Sequence, residues 1–219
     1  MPDRHQTGMK ASNPMENIPD YWRDHFREME KLTKKGADEH LALRHVLLSL
    51  RDMPYARPVQ GNTVRGCITE WTGTCSAKHM AAHEWLTLLG YHPIFWMACY
   101  AIDFKQPYFS DQLRAVAKGI EVYDVHNFLT CDLGHGEIII DITFPAYLGR
   151  YGFPVTIDWN GTDDFTLCCN PQNRIALDSI DTADQRKRCW LRSLNTDETY
   201  QIREAAIQEM SRYAGHERP

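Results

Sequence analysis

"EVYDVHNFLTCDLGHGEIIIDITFP", Glu121 to Pro145, is the stretch on which the fold turns. Val122 to Cys131 is rich in strand formers, "DLGHGE" supplies a turn with glycines at Gly134 and Gly136, and Ile138 to Phe144 supplies a partner strand. The hairpin carries two residues that suit neither a core nor a solvent face. His126 lies mid-strand within "DVHNFL", and Asp141 lies mid-strand on the partner, between three isoleucines and "ITF". An unpaired carboxylate there is costly to bury, so Asp141 needs a partner, and His126 is the candidate within cross-strand reach.

Upstream, "EWTGTCSAKHMAAHEWLTLLG" runs from Glu70 to Gly90. Thr74 can cap a helix that Gly90 closes, and Ala77, Met80, Ala81, Trp85 and Leu88 mark its apolar stripe. Cys75 falls in the first turn, where unpaired N–H groups favour a thiolate and can stabilise an oxyanion. Between this helix and the hairpin, "IFWMACYAI" from Ile94 to Ile102 is apolar on both faces and reads as an interior strand.

Helices flank this centre. Trp22, Phe26, Met29 and Leu32 recur at helical steps between Tyr21 and Lys35, and Asp38 caps a second helix carrying Leu41, Val46, Leu47 and Leu50. Pro58 to Gly73 reads as a long irregular approach, and Tyr147 to Cys168 as loop with a further short strand. Helix returns from Asp181 to Leu194, then from a capping box of Asn195 and Glu198 to Gly215. The expected architecture is α+β: a central helix on an antiparallel sheet, with extra N- and C-terminal helices. Residues 1–19 form a polar arm, and 20–219 form one domain: a helical flank to 57, a core over 58–170 and C-terminal helices from 171.

The net charge of −5 and scattered basic residues, with one short "RKR" at Arg186 to Arg188, exclude a polyanion-binding surface and so nucleic acid. The longest apolar run falls far short of the ~20 residues of a membrane helix. The polar N-terminus lacks a secretory pattern, so a soluble, cytoplasmic chain is expected, its odd number of cysteines held as thiols.

"GTCSAKHMAAHEWLTLLGY", a strand, then "VHNFLTCDLGHGEIIIDITFP" resembles the core of transglutaminase-like proteins over about Gly73 to Pro145. The resemblance is closest to small bacterial transglutaminase-like proteins. It implies a papain-like fold with Cys75 as nucleophile, His126 as general base and acid, and Asp141 as the group that orients the imidazole. It implies acyl transfer from an amide, ester or thioester to an amine through an acyl-thioester, with hydrolysis of the same intermediate as the alternative. The expected partners are therefore an acyl donor and an amine acceptor. No cofactor is called for, and "GTDDF" at Gly161 to Phe165 is too short for a calcium loop.

Trp71 is a candidate second oxyanion donor through its indole N–H, with packing as the competing role. His79 is a candidate substrate-binding residue, with a structural hydrogen bond as the competing role. Two further readings stand beside the enzyme. Cys75, His79 and His83 at four-residue steps form a possible zinc set, although successive four-residue steps drift around a helix. A non-catalytic binding module is the other.

Overall fold

Asp132 and the glycines after it close the hairpin. Its carboxylate accepts the N–H groups of Gly134 and Gly136 at 2.8 and 3.0 Å, and both glycines take positive φ. The strands so joined are β2 (Tyr123–Asp132) and β3 (Glu137–Ile140), antiparallel with Leu129 opposite Ile140. This computed structural model describes residues 18–34 and 39–215. Residues 1–17 of the expected arm and the Asp38 cap lie outside the described residues, and Ile18, placed in that arm, is instead buried in the main core.

The sheet has order β3-β2-β1-β4, with β1 (Ile94–Ala101) in the interior and β4 (Asn173–Leu177) at its edge. β1 pairs antiparallel with both neighbours, which accounts for a strand apolar on both faces. Helix α4 (Cys75–Leu88) packs on β1 and β2. Its apolar set extends beyond one stripe: Ala77, Met80, Ala81, Ala82, Trp85 and Leu86 are buried, while Leu88 is exposed at 36%. Around α4 stand α1 (Arg23–Lys34) and α2 (Glu39–Arg51), which bring Phe26, Leu43, Val46, Leu47 and Leu50 into the main core. Leu41 of the expected apolar set faces solvent instead.

The stretch expected to be irregular contains a helix, α3 (Val64–Glu70), capped where Thr63 Oγ1 accepts the Gly66 N–H. Gly66 and the β-branched Val64, Ile68 and Thr69 give this segment weak intrinsic helicity, so burial of Cys67 and Ile68 selects the helix. A further short helix, α5 (Asp111–Val116), follows β1. The strand expected within Tyr147 to Cys168 is replaced by a 3₁₀ turn at Ala146–Tyr151 and irregular chain, and the fourth strand comes later, as β4.

At the C-terminus, α6 (Ala183–Leu194) and α7 (Asp197–Gly215) both pack on β2. The cap of α7 is Thr196, whose Oγ1 accepts the Thr199 N–H at 3.2 Å. Asn195, expected as that cap, bonds instead to both backbone groups of Tyr123 and so ties the helix junction to β2. A second core of Tyr55, Phe109, Phe144, Leu148, Phe153, Ile202 and Ile207 fills the space beneath α5 and α7. The architecture is thus α+β, a four-stranded antiparallel sheet with helices N- and C-terminal to it. Among the described residues no helix is long and apolar enough to cross a membrane.

Candidate active site

Gly73 sets the start of α4. A Cβ there would lie 2.9 Å from Cys67 Sγ and 3.0 Å from Lys78 Cγ, so only glycine lets the chain turn this tightly into the helix. Thr74 is the N-cap but makes no side-chain capping bond, which leaves first-turn N–H groups for another acceptor. Cys75 follows as the first helical residue, 6% exposed, on the wall of a cavity of about 670 Å³.

His126 and Asp141 are buried together, and His126 Nε2 donates to Asp141 Oδ2 at 2.9 Å. Their pairing is not the direct cross-strand one. β3 ends at Ile140, and the β2–β3 register continued outward sets Thr143 opposite His126, so Asp141 reaches the imidazole diagonally. Because Asp141 leaves the ladder, its oxygens are free to collect donors. Oδ1 accepts the Thr143 hydroxyl at 2.6 Å and the Thr143 N–H at 3.2 Å, and Oδ2 also accepts the Cys168 N–H at 2.7 Å. Burial raises the carboxyl pKa, but His126 and these donors outweigh it and hold Asp141 well below the usual carboxylate range.

Burial disfavours the imidazolium, and the adjacent Asp141 carboxylate overcomes this and lifts His126 well above its ordinary value. With Nε2 committed to Asp141, Nδ1 is free for a second partner, and Cys168 Sγ lies 3.4 Å from it and 3.5 Å from Nε2. Burial likewise opposes the Cys75 thiolate. Lys187 first, then His126, reverse it and lower the thiol to about 6. Both shifts favour the charged forms of the pair, the Cys75 thiolate and the His126 imidazolium.

Lys187 is the residue that sequence reading missed. It projects from α6, is 7% exposed, and its Nζ lies 3.3 Å from Cys75 Sγ, 3.0 Å from Ser76 Oγ and 3.5 Å from Asn127 Oδ1. Ser76 donates to the same Asn127 oxygen at 2.8 Å, and Asn127 Nδ2 donates to the Trp96 carbonyl, which fixes that amide. In the sequence Lys187 is the middle of "RKR", which reads as a solvated turn of helix. Its 112-residue separation from Cys75 leaves no local signal of their contact.

The other sequence candidates do not reach the cavity. His79 is fully buried: its Nδ1–H donates to the Cys75 carbonyl at 2.7 Å, and its Nε2 accepts the Ile142 N–H at 2.9 Å. Burial lowers it to about 4, and an Nε2 that accepts a proton donor carries no charge to give the Asp141 oxygen 3.6 Å away. Its place is structural, joining the start of α4 to the strand after β3. Trp71 takes a left-handed conformation at φ 51 as the C-cap of α3, stacks on His25 at 4.8 Å, and lines a separate cleft with Arg44 and Asp52. The proposed indole donor therefore faces away from Cys75. Lys78 is also buried, its three protons matched by the carbonyls of Arg51, Met53 and Thr143, and burial lowers it to about 7.

The zinc set of Cys75, His79 and His83 fails on the same geometry, since both His79 ring nitrogens are engaged by backbone groups. All seven cysteines are free thiols.

The cavity wall beyond Cys75 is polar and cross-braced. Arg203 of α7 donates twice to Asp124 of β2, at 2.8 and 2.6 Å, Tyr100 donates to the other Asp124 oxygen, and Arg57 bridges to Glu204 at 2.8 Å. These bonds hold α7 over the sheet and keep the space above the thiol open. No family model, curated protein or solved structure matches the chain. The chemistry of the site rests on its own geometry.

Proposed function

We propose that the chain is a transglutaminase-like cysteine acyltransferase built on a papain-like core. The observation that carries this reading is a helix-start thiolate, Cys75, on a cavity of about 670 Å³, with a buried His126–Asp141 pair at 2.9 Å behind it. The Cys75 thiolate attacks the carbonyl of an amide, ester or thioester donor. First-turn N–H groups of α4 and the Lys187 ammonium stabilise the oxyanion. The C–N, C–O or C–S bond breaks, His126 gives its proton to the leaving amine, alcohol or thiolate, and an acyl-thioester remains on Cys75. An acceptor amine then attacks this thioester, neutral His126 takes the amine proton, and the thiolate departs with the imidazolium restored beside Asp141. A reducing, cytoplasmic setting suits seven free thiols.

The test is intact mass spectrometry of the protein incubated with pooled amide, ester and thioester donors, with and without an amine. The expected result is a single acyl adduct on Cys75 that discharges to the amine. Discharge to water alone would make the protein a hydrolase, an amidase or peptidase, of the same mechanism. No adduct from any donor, with Cys75 alkylating no faster than the other six thiols, would reduce the chain to a binding module.

A further inference from the structure

The second face of His126 is occupied by sulfur. Cys168 and Cys169 lie side by side in the segment that passes over the His126–Asp141 pair, and the Cys168 N–H is anchored on Asp141 at 2.7 Å. Cys168 Sγ stands 3.4 Å from His126 Nδ1 and 3.5 Å from its Nε2. The Cys169 sulfur completes the group, with all three ligand atoms within 4.8 Å of one another. Both cysteines are partly exposed, so the cluster is open to ions while His126 stays buried.

We infer that His126 Nδ1, Cys168 Sγ and Cys169 Sγ form a binding site for a thiophilic divalent cation, with zinc as the best fit. Tetrahedral zinc with bonds of about 2.3 Å to sulfur and 2.05 Å to nitrogen sets an S···N edge of about 3.6 Å and an S···S edge of about 3.8 Å. The Cys168 sulfur lies 3.4 Å from Nδ1 but also 3.5 Å from Nε2, so forming the site asks Cys168 to rotate toward the Nδ1 lone pair and Cys169 to close in, both from partly exposed side chains. The imidazole is also prepared as a ligand. Its Nε2–H is spent on a buried carboxylate, which leaves Nδ1 as the nitrogen that can bind a metal once deprotonated, the usual carboxylate–histidine–metal order. Three protein ligands leave the fourth position open to water or an incoming thiolate. On binding, Cys168, Cys169 and the His126 Nδ1 each lose a proton to solvent, and two S–Zn bonds and one N–Zn bond form with no change in oxidation state.

The site stands independently of the acyl-transfer reading; one consequence rests on that reading. The cation takes the Nδ1 lone pair that His126 uses toward Cys75, so metal occupancy and proton transfer exclude each other. Zinc would hold the enzyme silent until a chelator or a competing thiol removed it.

Cobalt(II) titration of the reduced, metal-free full-length protein tests the site directly. The expected result is a thiolate-to-cobalt charge-transfer band saturating at one equivalent and abolished by zinc. Cys168→Ser and Cys169→Ser should each weaken binding by at least tenfold, whereas Cys189→Ser, at an exposed cysteine, should not change it. Cys75→Ser should also retain the band, which separates this site from the nucleophile. Absence of the band in the wild type, or the same band in the folded Cys168→Ser/Cys169→Ser double variant, checked by circular dichroism, would overturn the assignment. A cobalt band with no acyl adduct on Cys75 would keep the metal site and refute only the enzymatic reading.

Discussion

Replacing Lys187 by methionine removes the positive charge 3.3 Å from the Cys75 sulfur while keeping most of the side-chain volume. Opposite charges about 4 Å apart interact by about 4 kcal/mol at an effective dielectric constant near 20. At about 1.4 kcal/mol per pH unit this is close to three units, and water entering the vacated space returns part of it. The midpoint of Cys75 reactivity should therefore rise from about 6 to roughly 8. The rate change alternates in sign with pH, because a more basic thiolate is also a better nucleophile. With a Brønsted slope near 0.4–0.5, a rise of about two units makes the thiolate roughly 6–10-fold more reactive once formed. The variant should react about tenfold more slowly than the wild type at pH 5 and several-fold faster at pH 9. The assay is stopped-flow exchange with dithiodipyridine across this range, with the modified cysteine identified by peptide mass. Lys187→Arg keeps the charge and should keep the midpoint low. Coincident pH profiles for Lys187→Met and wild type, both folded by thermal melt, would refute the role of Lys187.

The buried neutral His79 should make the fold acid-sensitive. Its unfolded form takes a proton near pH 6.5 while the folded form resists until about 4, so the stability it confers is complete above pH 6.5 and is lost as pH falls toward 4. The loss is about 3 kcal/mol, measurable by urea unfolding at pH 7 and pH 4, and His79→Gln should flatten that difference. Arg203→Met strands the Asp124 carboxylate in the wall of the cavity and should cost about 3–5 kcal/mol, with Asp124→Asn in the same chain recovering part of it by chemical denaturation. Trp71→Phe should leave the alkylation rate of Cys75 unchanged, since Trp71 lines a different cleft. A lowered rate in a folded Trp71→Phe protein would return the indole to the site.

The elements with strong local periodicity were legible in the chain itself. The interior strand, the hairpin and the α4 helix emerge from apolar runs and glycine turns within a few residues of their observed bounds. The short helices α3 and α5 were not legible, because six or seven residues carry too little pattern, and burial of Cys67, Ile68 and Leu113 decides them. β4 escaped for a similar reason. It is an edge strand whose residues are mostly exposed, so alternation gives no signal.

At the candidate site, sequence singled out three residues that the structure brings near one another: a cysteine between a glycine turn and a helix, and a histidine and an aspartate of one hairpin. Each of those signals is local, created by neighbours within a few residues. Only tertiary structure decided how they are used. The diagonal reach of Asp141 depends on where the ladder stops, and the roles of His79 and Trp71 depend on which side of α4 and α3 meets backbone or cleft. Lys187 beside the thiol, and Cys168 and Cys169 beside the imidazole, come from segments 112 and 42 residues away. Electrostatic and coordinative contacts depend on distance in space, and no periodicity along the chain records which distant side chains close that distance.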